Sequence, residues 1–344
     1  MGDESKRPVE TISFTLEGPP RDVDDETVAA FDAALERVGA NVMHAMDPRR
    51  LLSFESGGPP VWSVAYAEIG SDRLYLTYGL SAALEAGRLD HELSLRVPAG
   101  SDAGMWPVLL LRMLARYVLS SGRELKKGDF FPLPSSITTA PVAPADRSGM
   151  PRTPMNAIAL TVDPDLPFIE TKKGRVEVRR VVGLHPDERE LLEPWSAAGF
   201  VELLATRDPH LVTDIGRASK TTDREFVTAA ERGSARDGSA FGFVAVEGVD
   251  WSFDGKRYVA RFPGGAEARR IDRMVKARLL HGRHLLVHDF DPERTRAVAI
   301  EPSEALGLRE EGDVLVIELP RDAPHLNAFS SAGAAPVEWA LSIE

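Results

Sequence analysis

The hydrophobic pattern of the chain changes at one polar segment, residues 220–240. This segment consists mainly of small and charged residues, which is the composition of an interdomain linker. Helical and alternating patterns follow one another before it, and strand-like patterns dominate after it. A chain of 344 residues is long for one core and sufficient for two. The sequence therefore predicts a disordered tail at 1–23, a domain at 24–219, a linker at 220–240 and a smaller lobe at 241–344.

The part before the linker has the pattern of a mixed α/β fold. Its clearest helix is predicted at Trp106–Ser121, where Leu110, Leu114 and Val118 share one face. Further helices are predicted at residues 24–38, 186–193 and 197–206, and strands at 61–69, 73–77, 91–97, 157–162 and 176–184. We therefore expect the class α/β (α+β), with helices packed on a mixed, largely antiparallel sheet.

The part beyond the linker is predicted to be rich in strands. Asp254-Gly255 separates two alternating runs, and this dipeptide is favoured in the turns of β-hairpins. Further strands are predicted at residues 279–290, 296–300 and 313–319. We expect these strands to form a smaller C-terminal lobe.

Composition excludes several classes of function. The chain has no cysteine, which rules out a thiol nucleophile and cysteine-ligated zinc. Its net charge of −12 repels phosphate backbones and anionic lipid, so neither nucleic acid nor a membrane is an expected partner. No run approaches the roughly 20 apolar residues that span a bilayer. We expect a soluble, cytoplasmic protein that needs no cofactor.

Three histidines form a pattern that could bind a metal ion. His281, His284 and His288 are spaced i, i+3, i+7, which on a helix would place three imidazoles on one face. The flanking aliphatic residues favour a strand instead, where the same spacing divides the histidines between two faces. Asp289 and Asp291, which follow, are typical of a turn that caps its own backbone. A metal-dependent enzyme built on His281, His284, His288 and Asp289 remains the alternative function.

No other catalytic motif is present. The Gly-x-Ser-x-Gly of a nucleophile elbow and the Gly-rich loop that ends in Lys-Ser/Thr do not occur. The sequence therefore predicts no catalytic residues.

Tyr117, Leu125 and Asp129 lie at the end of the clearest helix and in the segment after it. An aromatic, an aliphatic and an acidic side chain could line a groove that takes an extended peptide. Core packing of Tyr117 and Leu125, with turn capping by Asp129, explains the same residues. From these residues alone, the structural interpretation is favoured.

Several short blocks carry a resemblance to a known family. They are Thr77–Ser81, Glu92–Arg96, Trp106-Pro107, Leu114–Val118, Gly128-Asp129, Asp163-Pro164, Gly174–Val176, Val182–Leu184 and Val212–Arg217. In this order and spacing, the region from about Val61 to Ser219 resembles the Suppressor of fused family. A further block, Arg278–His284, resembles the C-terminal lobe of its two-lobed members. We expect a two-lobed member of bacterial origin.

The resemblance implies a protein that binds other proteins and catalyses no reaction. In animal members, the two lobes clamp a short tail of a transcription factor, which enters as an added β-strand. By position, the residues implied to bind the partner are Tyr117, Leu125, Asp129, Leu279 and Leu280. For a bacterial member, the resemblance implies an immunity protein that sequesters and neutralises a toxin domain.

Two positions depart from the family pattern. A glutamate of the family groove falls on Val162, and an aromatic residue of the groove falls on Leu125. Loss of the acidic side chain argues against the same ligand tail. We therefore expect the family's mode of binding with a different partner.

Overall fold

The computed structural model describes residues 25–39, 42–44, 61, 63–81, 90–100, 104–291, 293–321, 323, 329 and 333–341. The tail predicted at residues 1–23 lies outside the described residues. Within the described residues the fold is mixed α/β with two lobes, as expected from the sequence.

The N-terminal lobe is built on one sheet. Its strands are β1 (Val42–His44), β2 (Ser63–Ile69), β3 (Asp72–Tyr78), β4 (His91–Pro98), β5 (Phe130–Pro132), β6 (Ala157–Val162), β7 (Phe168–Thr171) and β8 (Gly174–Leu184). The order is β1-β2-β3-β4-β8-β6-β5, and β7 pairs with β8 off this path. The β4–β8 pair is parallel and the other pairs are antiparallel, which confirms the largely antiparallel sheet.

Helices cover both faces of this sheet. They are α1 (Asp25–Val38), α2 (Trp106–Ser121), α3 (Pro186–Leu192) and α4 (Ala197–Ala205). Successive strand residues point to opposite faces, so Leu160 packs in the cluster of α2 whereas Ala159 packs in the cluster of α4. Helix α2 has the predicted bounds, and Gly122 ends it in the left-handed conformation with φ 65°.

The polar segment at residues 220–240 contains a helix, α5 (Arg224–Asp237). Asp223 caps it by accepting hydrogen bonds from the amides of Glu225 and Phe226. Its buried stripe consists of Phe226, Ala230 and Gly233. The composition that suggested a linker is therefore that of a helix with a narrow buried face, and the division of the chain at this segment stays a prediction.

The C-terminal lobe contains two sheets and one helix. Its elements are β9 (Phe243–Val246), β10 (Asp250–Phe253), β11 (Tyr258–Phe262), α6 (Gly265–Leu279), β12 (Leu285–Asp289), β13 (Ala297–Pro302), β14 (Gly307–Glu311), β15 (Val314–Leu319) and β16 (Val337–Leu341). The sheet orders are β14-β15-β13-β12-β9 and β10-β11-β16. Residues of α6 and of both sheets belong to one hydrophobic core.

Helix α6 corrects the strand that the sequence predicted at residues 279–290. Leu279 is the last residue of α6, and the strand β12 begins only at Leu285. Ile271, Val275 and Leu279 are buried at helical spacing. Five basic residues and two acidic ones lie among them, and they obscure this stripe in the sequence.

Candidate functional site at the junction of the two lobes

Two signature blocks of the N-terminal lobe meet around one buried carboxylate. Glu92, on β4, accepts hydrogen bonds from the amides of Gly79, Leu80 and Ser81 at 3.1, 3.2 and 2.9 Å. The hydroxyl groups of Thr77 and Ser81 donate to the same carboxylate at 2.5 and 2.7 Å. Complete burial raises the pKa of Glu92 to about 7 despite these donors. The blocks Thr77–Ser81 and Glu92–Arg96 therefore stabilise one turn of the fold.

A second buried network joins three further signature residues, Ser94, Arg96 and Asp163, to Asp165 and Arg180. Arg180 and Asp163 are both fully buried and form an ion pair of 2.8 Å. Ser94 also donates to Asp163. The carboxylate of Asp165 forms ion pairs with Arg180 at 3.1 Å and with Arg96 at 2.7 Å. Buried charges need such pairing, so these residues hold β4, β6 and β8 together and offer no free chemical group.

The histidine pattern does not form a metal site. His281 lies in the turn after α6, whereas His288 lies on β12 with its ring 5.6 Å from that of Phe243. Within the described residues, the group that brings three metal-ligating side chains within 4.8 Å is Asp90, His91 and Glu124. The metal-dependent alternative on His281, His284, His288 and Asp289 therefore has no geometric support, because the strand and the turn separate its ligands.

Asp289 and Asp291 have the structural role that their turn pattern predicts. Asp289 is 5% exposed, and its carboxylate accepts hydrogen bonds from the amides of Gly248 at 2.8 Å and Asp291 at 2.9 Å. Arg294 approaches the same carboxylate at 3.3 Å. The pair therefore caps a turn.

The Asp90–His91–Glu124 group already surrounds a cation of the chain itself. Nη2 of Arg179 lies 2.8 Å from Glu124 and 3.7 Å from Asp90. His91 is fully buried, and burial together with Arg179 lowers its pKa to about 4. A metal ion here would have to displace a guanidinium that neutralises both carboxylates, so this group is interpreted as a structural ion cluster.

The residues predicted to bind a partner in the N-terminal lobe differ in exposure. Tyr117 is half-buried on α2, with its ring 5.6 Å from that of Phe131. Leu125 is fully buried, and its carbonyl accepts a hydrogen bond from Arg179. Asp129 is half-buried and accepts a hydrogen bond from the amide of Lys126 at 2.7 Å. Tyr117 and Asp129 thus flank β5, while Leu125 lies beneath them in the core.

The two leucines of the C-terminal lobe that were predicted to bind a partner also differ in exposure. Leu279 is 1% exposed and belongs to the core, whereas Leu280 is 58% exposed. They are consecutive residues at the end of α6, where a turn of 100° per residue directs them to different sides. Only Leu280 offers side-chain surface to a partner in this conformation.

Two strand edges lie open at the junction of the lobes. Strand β5 ends the N-terminal sheet, and β9 ends the five-stranded sheet of the C-terminal lobe. The register of β5 with β6 directs the amide and carbonyl of Phe130 away from β6. The register of β9 with β12 likewise directs the amides of Phe243 and Ala245 outward. Within the described residues, no hydrogen bond is formed by these outward amides.

Direct contacts place both edges at the junction. The rings of Phe130, on β5, and Phe241, just before β9, lie 5.8 Å apart. The outward carbonyl of Ala245 accepts a hydrogen bond from Arg270 on α6 at 2.8 Å. Arg270 also pairs with Glu193, after α3, through two contacts of 2.8 Å. The free edge of β9 therefore faces the N-terminal lobe.

Sequence reasoning missed Phe243 as a residue of this junction. Its side chain is 58% exposed on the outer face of β9, beside His288. An exposed aromatic residue in an alternating run can indicate a binding surface. The composition of the segment before it, however, is typical of a linker. The placement of β9 at a sheet edge depends on its long-range pairing with β12, which no local pattern reveals.

Comparison with known proteins identifies the fold. The Suppressor of fused protein family matches residues 52–218. The human Suppressor of fused homolog is 26% identical over 227 residues, covering 57% of this chain and 45% of the human protein. The mouse homolog is 28% identical over 148 residues, covering 41% of this chain and 28% of that protein. The chain thus spans less than half the length of these relatives.

A solved structure extends the likeness to both lobes. Drosophila Suppressor of Fused has a TM-score of 0.62 at 17% identity, and the match covers 92% of both chains. At this identity the match concerns the fold alone. Within the described residues, no helix has the length and apolar character needed to cross a membrane. Residues 52–218 therefore form a domain of the Suppressor of fused family, and the fold of both lobes resembles that of Drosophila Suppressor of Fused.

Proposed function

We propose that the chain binds a partner polypeptide by adding one of its segments as a β-strand at the junction of the two lobes. The observation that carries this proposal is the pair of open edges, β5 and β9, at that junction. The proposed activity is sequestration, in which the partner is held and no covalent bond is changed.

Strand addition uses backbone groups for affinity and side-chain contacts for selection. The outward amides of Phe130, Phe243 and Ala245 are the donors that an added strand would use. A strand paired to either edge would lie about 4.8 Å from it. Arg270 donates a hydrogen bond to the carbonyl of Ala245, so this carbonyl is not available to a partner. The strand added to β9 would therefore end beside Arg270.

The side chains around the edges supply the proposed selection. Tyr117 and Asp129 would contact the added strand from the N-terminal lobe, and Leu280 and Phe243 from the C-terminal lobe. Leu125 and Leu279, which the family resemblance also implies, would support these contacts from the core. Asp129 would pair with a basic or hydroxyl group of the partner.

The resemblance to bacterial members supports a narrower proposal for the partner. In a bacterium, the partner would be a toxin domain and the chain its immunity protein. An acidic chain with net charge −12 suits a basic toxin surface. Binding would occur in the cytoplasm, where the chain would neutralise the toxin before it acts.

Affinity capture from the native lysate tests strand addition with one matched pair of variants. Ala245→Pro removes an outward amide and leaves the β12 ladder intact, because this amide faces away from β12. Ala245→Val keeps the amide and adds a comparable side chain. We expect the wild type and Ala245→Val to capture the same polypeptide and Ala245→Pro to lose it.

The result that would contradict the proposal is equal capture by all three proteins, since it would place the partner on another surface. Asp129→Arg, with Asp129→Asn as its control, tests the N-terminal edge in the same way. Asparagine retains the oxygen that caps the amide of Lys126, so only the charge-reversal variant should lose the partner.

A further inference from the structure

Three arginines converge on the turn that follows α6. Arg278 is 7% exposed, and its Nη1 donates to the carbonyl of Ser239 at 2.9 Å. Nη1 of Arg283 donates to the same oxygen, also at 2.9 Å. Arg321 donates to the carbonyl of Leu280 at 3.3 Å. Two guanidinium groups therefore share one acceptor, and a third lies on the neighbouring backbone; we call these three residues the arginine cluster.

The cluster has no counter-ion in the described part of the chain. Its hydrogen bonds go to neutral carbonyls, and none of its members forms an ion pair with a described carboxylate. Asp237, which the adjacent His281 influences electrostatically, is already engaged by Arg236 at 2.7 Å and Trp195 at 2.9 Å. Among the described residues, the cluster is therefore a positive site without a paired carboxylate, in a chain of net charge −12.

Two other arginines of low exposure have a carboxylate partner. Arg180 faces Asp163, and Arg270 faces Glu193. Burial, followed by the proximity of Arg283, lowers the pKa of Arg278. A buried cation beside a like charge is costly unless an anion joins it. The helix C-terminus favours a cation, which accounts for one arginine at this turn, and the exposed Arg283 and Arg321 add two further positive charges beside it.

The cluster adjoins the open edge of β9. Nη2 of Arg278 lies 3.8 Å from the point where a Cβ on Gly242 would stand, and Gly242 directly precedes β9. On the other side, Gly238 packs so closely on the ring of His281 that a Cβ there would lie within 2.6 Å of two ring atoms. The turn and the start of β9 thus form one continuous surface.

We propose that the arginine cluster binds carboxylate side chains that flank the strand-forming segment of the partner. This inference rests on the proposed strand addition and names the chemistry that the partner must carry: an apolar strand with acidic residues at the end that reaches Gly242. Guanidinium groups bind carboxylates through charge-assisted, often bidentate hydrogen bonds. The site would also fix the direction in which the strand enters.

Peptide display on the full chain tests this proposal. A random peptide library is selected on the wild type, on the double variant Arg283→Gln/Arg321→Gln and on the control Arg269→Gln. Arg269 is exposed on the same helix, nine residues before Arg278 and on the opposite side. We expect Asp and Glu to be enriched at one flank of the peptides selected by the wild type and the control, and this enrichment to be absent for the double variant.

Affinities measured by fluorescence anisotropy make the result quantitative. An acidic-flank peptide should bind the double variant at least about tenfold more weakly than it binds the wild type. Its neutral-flank counterpart should bind both proteins equally. Matching circular dichroism melting curves for the three proteins establish that the variants fold.

Failure of this inference is distinguishable from failure of strand addition. Selected peptides without acidic enrichment that still require the amide of Ala245 would overturn the arginine cluster and retain strand addition. Loss of all peptides with Ala245→Val as well as Ala245→Pro would count against strand addition itself. Saturable binding of inorganic phosphate by the wild type, with no acidic peptide enriched, would replace the acidic segment with a small anion and overturn the proposal.

Discussion

At the scale of single residues, the signature of the family is mainly structural. Glu92 and Asp163 lie in the blocks that carry the resemblance, and both are fully buried in hydrogen-bonded networks. The open amides of Phe243 and Ala245 lie outside those blocks. The backbone of β9 can therefore pair with different partners without a change in these blocks, although Tyr117 and Asp129, which would also contact the partner, lie within such blocks.

Glu92 and its neighbour His91 should affect stability in opposite directions with pH. Burial raises the pKa of Glu92 from 4.5 to about 7, so in this window the folded state binds a proton that the unfolded chain has lost. The contribution of Glu92 to the free energy of unfolding then falls as pH rises. Burial and Arg179 lower the pKa of His91 from 6.5 to about 4, so the contribution of His91 rises with pH.

Two substitutions separate these effects. Relative to the wild type, Glu92→Gln should become more stable as pH rises from about 4.5 to about 7, and His91→Phe should become less stable as pH rises from about 4 to about 6.5, each by about 1–3 kcal/mol. Urea unfolding at several pH values measures both. If the free energy of unfolding changed with pH in the same way for the wild type and both variants, neither Glu92 nor His91 would have the shifted pKa.

At the scale of elements, α5 depends on close packing that its composition hides. An added Cβ on Gly233 would lie within 2.7 Å of three atoms of the Trp195 ring. The glycine therefore allows α5 to approach the chain between α3 and α4. A polar sequence with one narrow stripe of buried residues is compatible with this helix and also with a linker. Composition alone therefore does not distinguish the two.

Gly233→Ala should destabilise the protein by about 1–3 kcal/mol, although alanine favours helix formation by about 1 kcal/mol. Steric conflict with Trp195 outweighs that propensity. Ala235→Gly, at an exposed position of the same helix, should cost about 1 kcal/mol from propensity alone. Chemical denaturation measures both changes. A stabilised Gly233→Ala variant would mean that Trp195 can move aside.

The sequence predicts elements whose own residues decide their conformation. Helix α2 and strand β6 have the predicted bounds, since a wide apolar stripe and an alternating run are local signals. Helix α6 was not predicted, because charged residues dilute its stripe. The edge positions of β5 and β9 follow from pairing with distant strands, so the candidate site could be predicted only through the family resemblance.

At the scale of the whole molecule, one ion pair connects the lobes beside the candidate site. Arg270 and Glu193 are 15% and 8% exposed, whereas Arg273 and Glu190, in the same interface, are 35% and 61% exposed. A more buried pair is less screened by solvent. Arg270 also holds the carbonyl of Ala245, so the orientation of the lobes and the edge of β9 depend on the same side chain.

A double-mutant cycle of Arg270→Met and Glu193→Gln should give a coupling energy of about 1–3 kcal/mol. The cycle of Arg273→Met and Glu190→Gln should give less than about 1 kcal/mol, because exposed pairs contribute little. Thermal unfolding of the single and double variants supplies both values. Equal coupling energies in the two cycles would contradict the expectation that Arg270 and Glu193 form the stronger of the two ion pairs between the lobes.

The most direct test of strand addition is amide hydrogen exchange of the chain alone and with a bound peptide selected on it. The amides of Phe130, Phe243 and Ala245 should exchange rapidly in the free chain and slowly in the complex, because an added strand would accept their hydrogen bonds. Protection of these three amides, with little change at Phe131 and Val244, would agree with pairing at both edges. Unchanged exchange at all three, with protection elsewhere, would contradict the central claim.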